Sequence, residues 1–218
     1  IRKDREICML YDKDIREPLF DFLEEAYGKL RIIEEKQVGK SRADIVMVLP
    51  GLLTGIEIKS DADSYVRLSR QVKDYDRFFD RNMVVAGSSH AAHVREHVPG
   101  WWGIITVEQN DREIDFYVLR QPQENPMMNW KRKLSLLWRP ELAHIQELTA
   151  MPRYKEKSKA FVIEKILAKV PGEQLSVLVS EELFERDYTR IEEVIRAYKI
   201  QNRPELKGRT GKRKRRRP

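Results

Sequence analysis

The alternation of apolar and polar positions divides the chain into recognisable elements. Ile15, Leu19, Phe22, Leu23 and Ala26 recur at helical spacing behind an Asp14-x-x-Glu17 capping pattern, and Gly28 supplies a stop. This predicts a first amphipathic helix with Pro18 in its first turn, where proline does least harm. Three strand-like runs follow, Leu30–Lys36, Asp44–Leu49 and Leu53–Lys59. The last two are joined by Pro50-Gly51, a dipeptide that favours a tight reversal, so a hairpin is expected. Ser60-Asp61 would cap a second helix carrying the stripe Leu68, Val72, Tyr75 and Phe79. Met83–Ala86 reads as a buried strand, His90–His97 as a helix, and Gly103–Val107 and Ile114–Leu119 as two more strands.

This order predicts an α/β domain in which a mixed sheet carries helices on both faces, occupying residues 1–120. Gln121-Pro122 through Pro126 reads as a linker. A helical extension is expected over residues 121–206, its clearest pieces being Ala160–Ala168 and Leu175–Phe184, separated by Pro171-Gly172. No internal repeat of solenoid length is present.

Charge changes the picture only at the end of the chain. The last twelve residues hold eight of the 42 basic side chains and no acid, leaving 34 basic against 35 acidic in residues 1–206. The body is therefore near neutral, and the net charge of +7 resides in a tail ending GKRKRRRP that should be disordered. Arg213, Arg215 and Arg216 within it are candidate nucleic-acid contacts, with an anionic membrane or simple solubility as the other readings. Cys8 is the only cysteine, so no intramolecular disulfide and no cysteine-rich zinc site can form, which fits a cytoplasmic protein. No run reaches the ~18 apolar residues of a membrane span, and the opening residues have no signal-peptide stretch.

The chemistry is concentrated in RADIVMVL (residues 42–49) and GIEIK (residues 55–59). Side chains alternate along a strand, so Glu57 and Lys59 share one face while Ile56 and Ile58 take the other. The hairpin can bring Asp44 beside the end of the strand that carries them. Two converging carboxylates make a hard-oxygen site suited to Mg2+ or Mn2+, and Lys59 could orient or help deprotonate an attacking water and stabilise phosphate charge. Glu-x-Lys also occurs at Glu34 and at Glu205, but only Glu57 follows an Asp at the head of a partner strand and is flanked by β-branched residues. A surface salt bridge is the competing reading.

On these residues the chain resembles the PD-(D/E)XK superfamily of restriction-endonuclease-like nucleases. The resemblance implies that Asp44 and Glu57 are metal ligands, with the carbonyl of Ile58 as a further ligand, and that Lys59 is catalytic. Gln71-Val72-Lys73-Asp74-Tyr75 is similar to the Q-x-x-x-Y element of RecB-type and lambda-exonuclease-like branches, which would turn Gln71 and Tyr75, one helical turn apart, towards the site. The stretch EIKSDADSYVRLSRQVKDYDRFFDRNMVVAG with VPGWWGIITV resembles a small bacterial branch in which an acidic pair precedes the Arg-Ala-Asp motif. Glu34 and Glu35 match that pair. Strand alternation would let only one of them face the metal, and Glu35 is the candidate. The first-helix acids Asp14 and Glu17 read as caps.

Arg67, Arg70 and Lys73 on the second helix are candidate phosphate contacts, with a solvated face as the competing reading. His90, His93 and His97 read as surface residues, and Trp101-Trp102 as a plug at the core edge. The sequence thus predicts a Mg2+-dependent deoxyribonuclease with DNA as its partner, RNA remaining open, and a helical C-terminal half available to a protein partner. The competing reading is a catalytically silent nucleic-acid-binding or scaffold module of the same fold.

Overall fold

The computed structural model describes residues 9–110, 113–187, 197 and 200. Helix α1 (Asp12–Tyr27) leads into three antiparallel strands, β1 (Arg31–Val38), β2 (Ser41–Leu49) and β3 (Leu52–Lys59). A 3-10 turn (Tyr65–Arg67) and α2 (Leu68–Phe78) cross to β4 (Arg81–Gly87), which runs parallel to β3. Two short helices, α3 (Ser88–Ala91) and α4 (Val94–His97), precede the parallel β5 (Gly103–Asn110) and the antiparallel β6 (Glu113–Arg120). The six strands lie in sequence order in one mixed sheet. Helices α5 (Trp130–Ser135), α6 (Arg139–Leu148), α7 (Lys159–Lys169) and α8 (Gly172–Phe184) follow.

The expected α/β architecture, a mixed sheet flanked by helices, is the observed one. Each face of the sheet buries its own set of side chains because strand residues alternate. Ile45, Met47, Ile56, Ile58, Met83, Val85, Ile105 and Val107 pack under α1, whose Ile15, Leu19 and Leu23 stand one turn apart and are fully buried. Truncating such a side chain costs about 2–5 kcal/mol. On the other face Val46, Val48, Leu53, Val84, Ala86 and Ile104 pack under α2 and the C-terminal helices. The helical extension therefore shares a core with the sheet. Gly51 N donates to Ser180 Oγ of α8 at 2.8 Å, tying the β2–β3 turn to that helix, and this turn needs the positive φ of 72° that glycine adopts without strain.

Three local expectations change. Helix α1 begins three residues early, with Tyr11 at the N-cap, so Asp14 is not the N-cap; its carboxylate instead accepts from Tyr11 N at 3.0 Å. Pro18 thus lies in the second turn, where it offers no N–H to the carbonyl four residues back. Ser60-Asp61 does not cap α2 either. Ser60 bonds to Asp63, while Asp61 accepts from Leu10 N and Ser89 N, so the segment anchors the loops around the strand end.

Candidate functional site

Strands β2 and β3 form a regular ladder up to the pair Ile45↔Ile56. Beyond it the Asp44 side chain replaces a strand partner, its Oδ2 accepting from Ile58 N at 2.9 Å. Asp44 N is taken by the hydroxyl oxygen of Tyr75, 3.1 Å away. At this opening of the hairpin lies a polar cleft of about 600 Å³ lined by Asp44, Glu57, Ile58 and Lys59. Strand alternation explains the rest, since it puts Glu57 and Lys59 on the α2 side and Ile56 and Ile58 under α1.

Helix α2 completes the arrangement. Tyr75 is fully buried, and its hydroxyl donates to Glu57 Oε2 at 2.6 Å. Gln71, one turn earlier, donates through Nε2 to Glu57 Oε1 at 2.5 Å and accepts from Lys59 Nζ at 3.2 Å. Lys59 Nζ also donates to Glu57 Oε1 at 2.5 Å, and both residues are almost wholly buried. The helix can lie this low because of Gly55. A Cβ there would sit 2.3 Å from the Phe79 ring and 2.8 Å from that of Tyr75. Asp74 holds the other side of α2 down by accepting from Lys40 N and Ser41 Oγ.

The first helix brings a residue that the sequence reading missed. Arg16 pairs with Asp12 at 2.5 Å, Glu34 at 3.2 Å and Glu35 at 2.8 Å, and lies 3.8 Å from Asp44 Oδ1. Burial works against its charge, but the hydrogen bond to Asp12 and the charges of Asp12, Asp44 and Glu35 outweigh it and raise its pKa. The i,i+4 spacing of Asp12 and Arg16, off the apolar stripe of α1, was the available signal. The first-helix acid at the site is Asp12, which lines the cleft.

The expectation that Glu34 and Glu35 point to opposite faces is overturned. Glu35 adopts a φ of 54°, a left-handed conformation that breaks strand alternation, and both carboxylates reach Arg16. Glu35 also pairs with Arg42 and lines the cleft, so it is placed as a partner of cations.

The electrostatics are out of balance. Burial, followed by the charge of Glu57, pushes the Asp44 carboxyl up from 3.8 to about 7, despite Lys59 and Arg16 nearby. Burial and the same two carboxylates push Tyr75 well above 10, keeping it a neutral donor. Among the described residues no group of three or more His, Cys, Asp and Glu side chains could hold a metal by itself. Mg2+, however, is commonly bound by one or two carboxylates with water and substrate phosphate filling the remaining positions. Glu57 Oε2 carries one hydrogen bond and Asp44 Oδ1 only a 3.8 Å contact, leaving acceptor capacity on both. The donor set therefore fits a hard dication, which would also relieve the repulsion between the two acids.

Of the predicted phosphate contacts, Arg67 and Arg70 line the cleft. Lys73 is exposed on α2 outside it, and Arg213, Arg215 and Arg216 lie outside the described residues. Trp102 is fully buried and donates to Asp76 at 2.8 Å, as a core plug should. His90 and His97 pack around Tyr65, and His93 lies 3.6 Å from Glu96.

The sequence profile of the family described as Bacteriophage P4 protein cII matches residues 8–203. The chain belongs to this family. Protein cII of Enterobacteria phage P4 is 28% identical to this family member over 101 residues, covering 46% of this chain and 38% of the phage protein. The chain thus spans well under half the length of that relative. Among solved structures, a protein of unknown function from Silicibacter pomeroyi aligns with a TM-score of 0.39 and 20% identity, covering 62% of this chain and 88% of its own. Pyrococcus furiosus SfsA, solved in complex with Ca2+, aligns at 0.32 and 15%, covering 51% and 62%. No helix among the described residues is long and apolar enough to cross a membrane.

Proposed function

We propose that this family member is a divalent-metal-dependent nuclease of the PD-(D/E)XK type that hydrolyses phosphodiester bonds of DNA. One observation carries the reading. Two carboxylates, Asp44 and Glu57, converge in an open polar cleft with a buried lysine beside them, and the Asp44 carboxyl is pushed up to about 7. A purely structural pair would be stabilised by deleting the surplus acid, whereas a cation-binding site needs both.

Asp44, Glu57 and the Ile58 carbonyl would hold Mg2+ or Mn2+, which supplies Lewis-acid polarisation of a phosphate oxygen and a more acidic water. The chain's own residues do the rest. Tyr75 and Gln71 lock the Glu57 carboxylate in one orientation, so no reorganisation is needed when substrate arrives. Lys59 places an ammonium at the cleft wall, where it orients the attacking water and offsets the negative charge that builds on the phosphate. Arg67 and Arg70 at the cleft position backbone phosphates. In the hydrolysis one P–O bond forms to water, one ester P–O bond breaks, and the proton released by water is balanced by one taken up at the departing oxygen.

The test uses purified protein with circular single-stranded and linear double-stranded DNA in Mg2+, Mn2+ or EDTA, beside Glu57→Ala and Lys59→Ala. Metal-dependent cleavage absent from both variants supports the proposal. DNA binding without cleavage in every condition would replace it with a silent binding module.

A further inference from the structure

A second concentration of charge lies outside the cleft, where β1 meets the start of α6 and α7, and its imbalance is of the opposite sign. Arg186, only 4% exposed, forms a two-pronged pair with Glu141, Nε to Oε1 at 2.7 Å and Nη2 to Oε2 at 2.6 Å. Its guanidinium lies 3.7 Å from the centre of the Trp138 ring, and the Lys36 ammonium approaches the same ring at 5.7 Å. Arg139 and Lys159, the first residues of α6 and α7, are held towards the cluster by the carbonyls of Tyr154 and Ser135. Four cations thus surround the carboxylate of Glu141. Glu182, which feels the Glu141 charge, pairs with His144.

The surplus is visible in two independent ways. Among the described residues, the Nη1 atoms of both Arg186 and Arg139 are buried without a hydrogen-bond partner, an uncommon and costly state for a guanidinium nitrogen. Burial and then the Arg186 charge lower Lys36 to about 8 against the pull of Glu141, and burial lowers Lys159, where Glu141 is opposed by Arg186 and Arg139. The N-terminal ends of two helices of ten and eleven residues add positive potential at the same place. An anion seated against the accessible Lys36, Arg139 and Lys159 would offset the positive charge that they share with Arg186. Lys36, Arg139 and Lys159 are only half-buried and so remain reachable.

We propose that Lys36, Arg139 and Lys159, backed by Arg186 and Trp138, form a phosphate-binding site for the backbone of the nucleic acid that enters the cleft. Position argues for nucleic acid over a free phosphate monoester. Lys36 directly follows Glu35, which lines the cleft, so a strand crossing the β1 edge passes from one site to the other. Lysine and arginine side chains beside helix N-termini are also the groups that contact nucleic-acid phosphates. The substrate named here rests on the nuclease reading.

The experiment measures binding of a fluorescein-labelled single-stranded oligonucleotide by anisotropy in EDTA across a salt series. It compares the wild type, Lys36→Gln/Lys159→Gln, and the control Lys131→Gln/Lys165→Gln, with Mg2+-dependent cleavage followed in parallel. The site predicts that the first double variant binds roughly 10-fold more weakly and that its log K against log salt slope is shallower by about 1.4, from two lost phosphate contacts at ~0.7 each. The control should match the wild type, and melting curves should show all three folded. Equal slopes for wild type and the first variant, equal losses in both variants, or no wild-type binding would overturn the proposal. Displacement of the oligonucleotide by micromolar inorganic phosphate at constant ionic strength would assign the site to a small anion instead. A slope difference in a protein that cleaves nothing would leave this site standing and remove the nuclease reading, so the two failures are separable.

Discussion

Two lysines are buried against carboxylates beneath the same face of the sheet, and they behave differently. Lys133 on α5 is fully buried and reaches Asp80 at 2.7 Å, while Asp80 also accepts from Leu53 N and the Trp130 ring lies 4.8 Å from the ammonium. One charge of each sign is enclosed and every neighbour is satisfied. Lys59 meets Glu57 at 2.5 Å and both are almost wholly buried, but a second acid, Asp44, stands beside them and the group opens on a cleft. A buried ion pair by itself therefore does not mark a site, since Lys133 and Asp80 form one outside the cleft. The surplus charge, together with the open cleft, distinguishes a site from a strut.

The largest expected effects test this contrast directly. Lys133→Ala should lower stability by about 3–5 kcal/mol in urea denaturation while leaving cleavage per folded molecule within a few-fold of wild type. Lys59→Ala should instead lower cleavage by on the order of 10² to 10³. If both lost cleavage to the same extent, the contrast would collapse. Tyr75→Phe comes next, because it strands the Asp44 N–H and removes a donor from Glu57. A loss of about 1–3 kcal/mol is expected in the same denaturation assay; a neutral result would mean that Tyr75 only packs.

Asp44 is raised from 3.8 to about 7 in the fold, so in metal-free protein the folded state retains a proton that the unfolded state has released across that window. Stability from this group is therefore lost as pH rises from about 4 through 7. Asp44→Asn should melt higher than wild type at pH 8 in EDTA, with the advantage vanishing near pH 4. Added Mg2+ should raise the wild-type midpoint more at pH 8 than at pH 5.5, and a pH-independent gain would detach the metal from Asp44. The smallest effect is expected for Arg16→Gln. Its partly exposed pairs are worth under about 1 kcal/mol of stability. Removing a cation from Asp44 should nevertheless move the acid limb of the cleavage profile to higher pH, and an unmoved limb would show that Arg16 and Asp44 are uncoupled.

Much of the sheet and the centre of the site were legible because they depend on short-range geometry. The hairpin follows from Pro50-Gly51 between two apolar runs, and the shared orientation of Glu57 and Lys59 follows from the two-residue period of a strand. Gln71 and Tyr75 face the same way because they are four residues apart on a helix. The errors were also local in origin. Asp14 looks like an N-cap and Ser60 like another, but both side chains found different backbone partners once the loops had packed. Glu35 departs from alternation through a single positive φ, which no periodic pattern announces.

The order of residues alone thus settles which side chains share a face, since backbone geometry repeats every two or 3.6 residues whatever surrounds it. Only packing determines which faces meet. It set Arg16 of α1 against Glu34, Glu35 and Asp44, and placed Arg186 against Glu141. Those contacts join segments far apart in the chain, and their charge balance exists only where the elements come together.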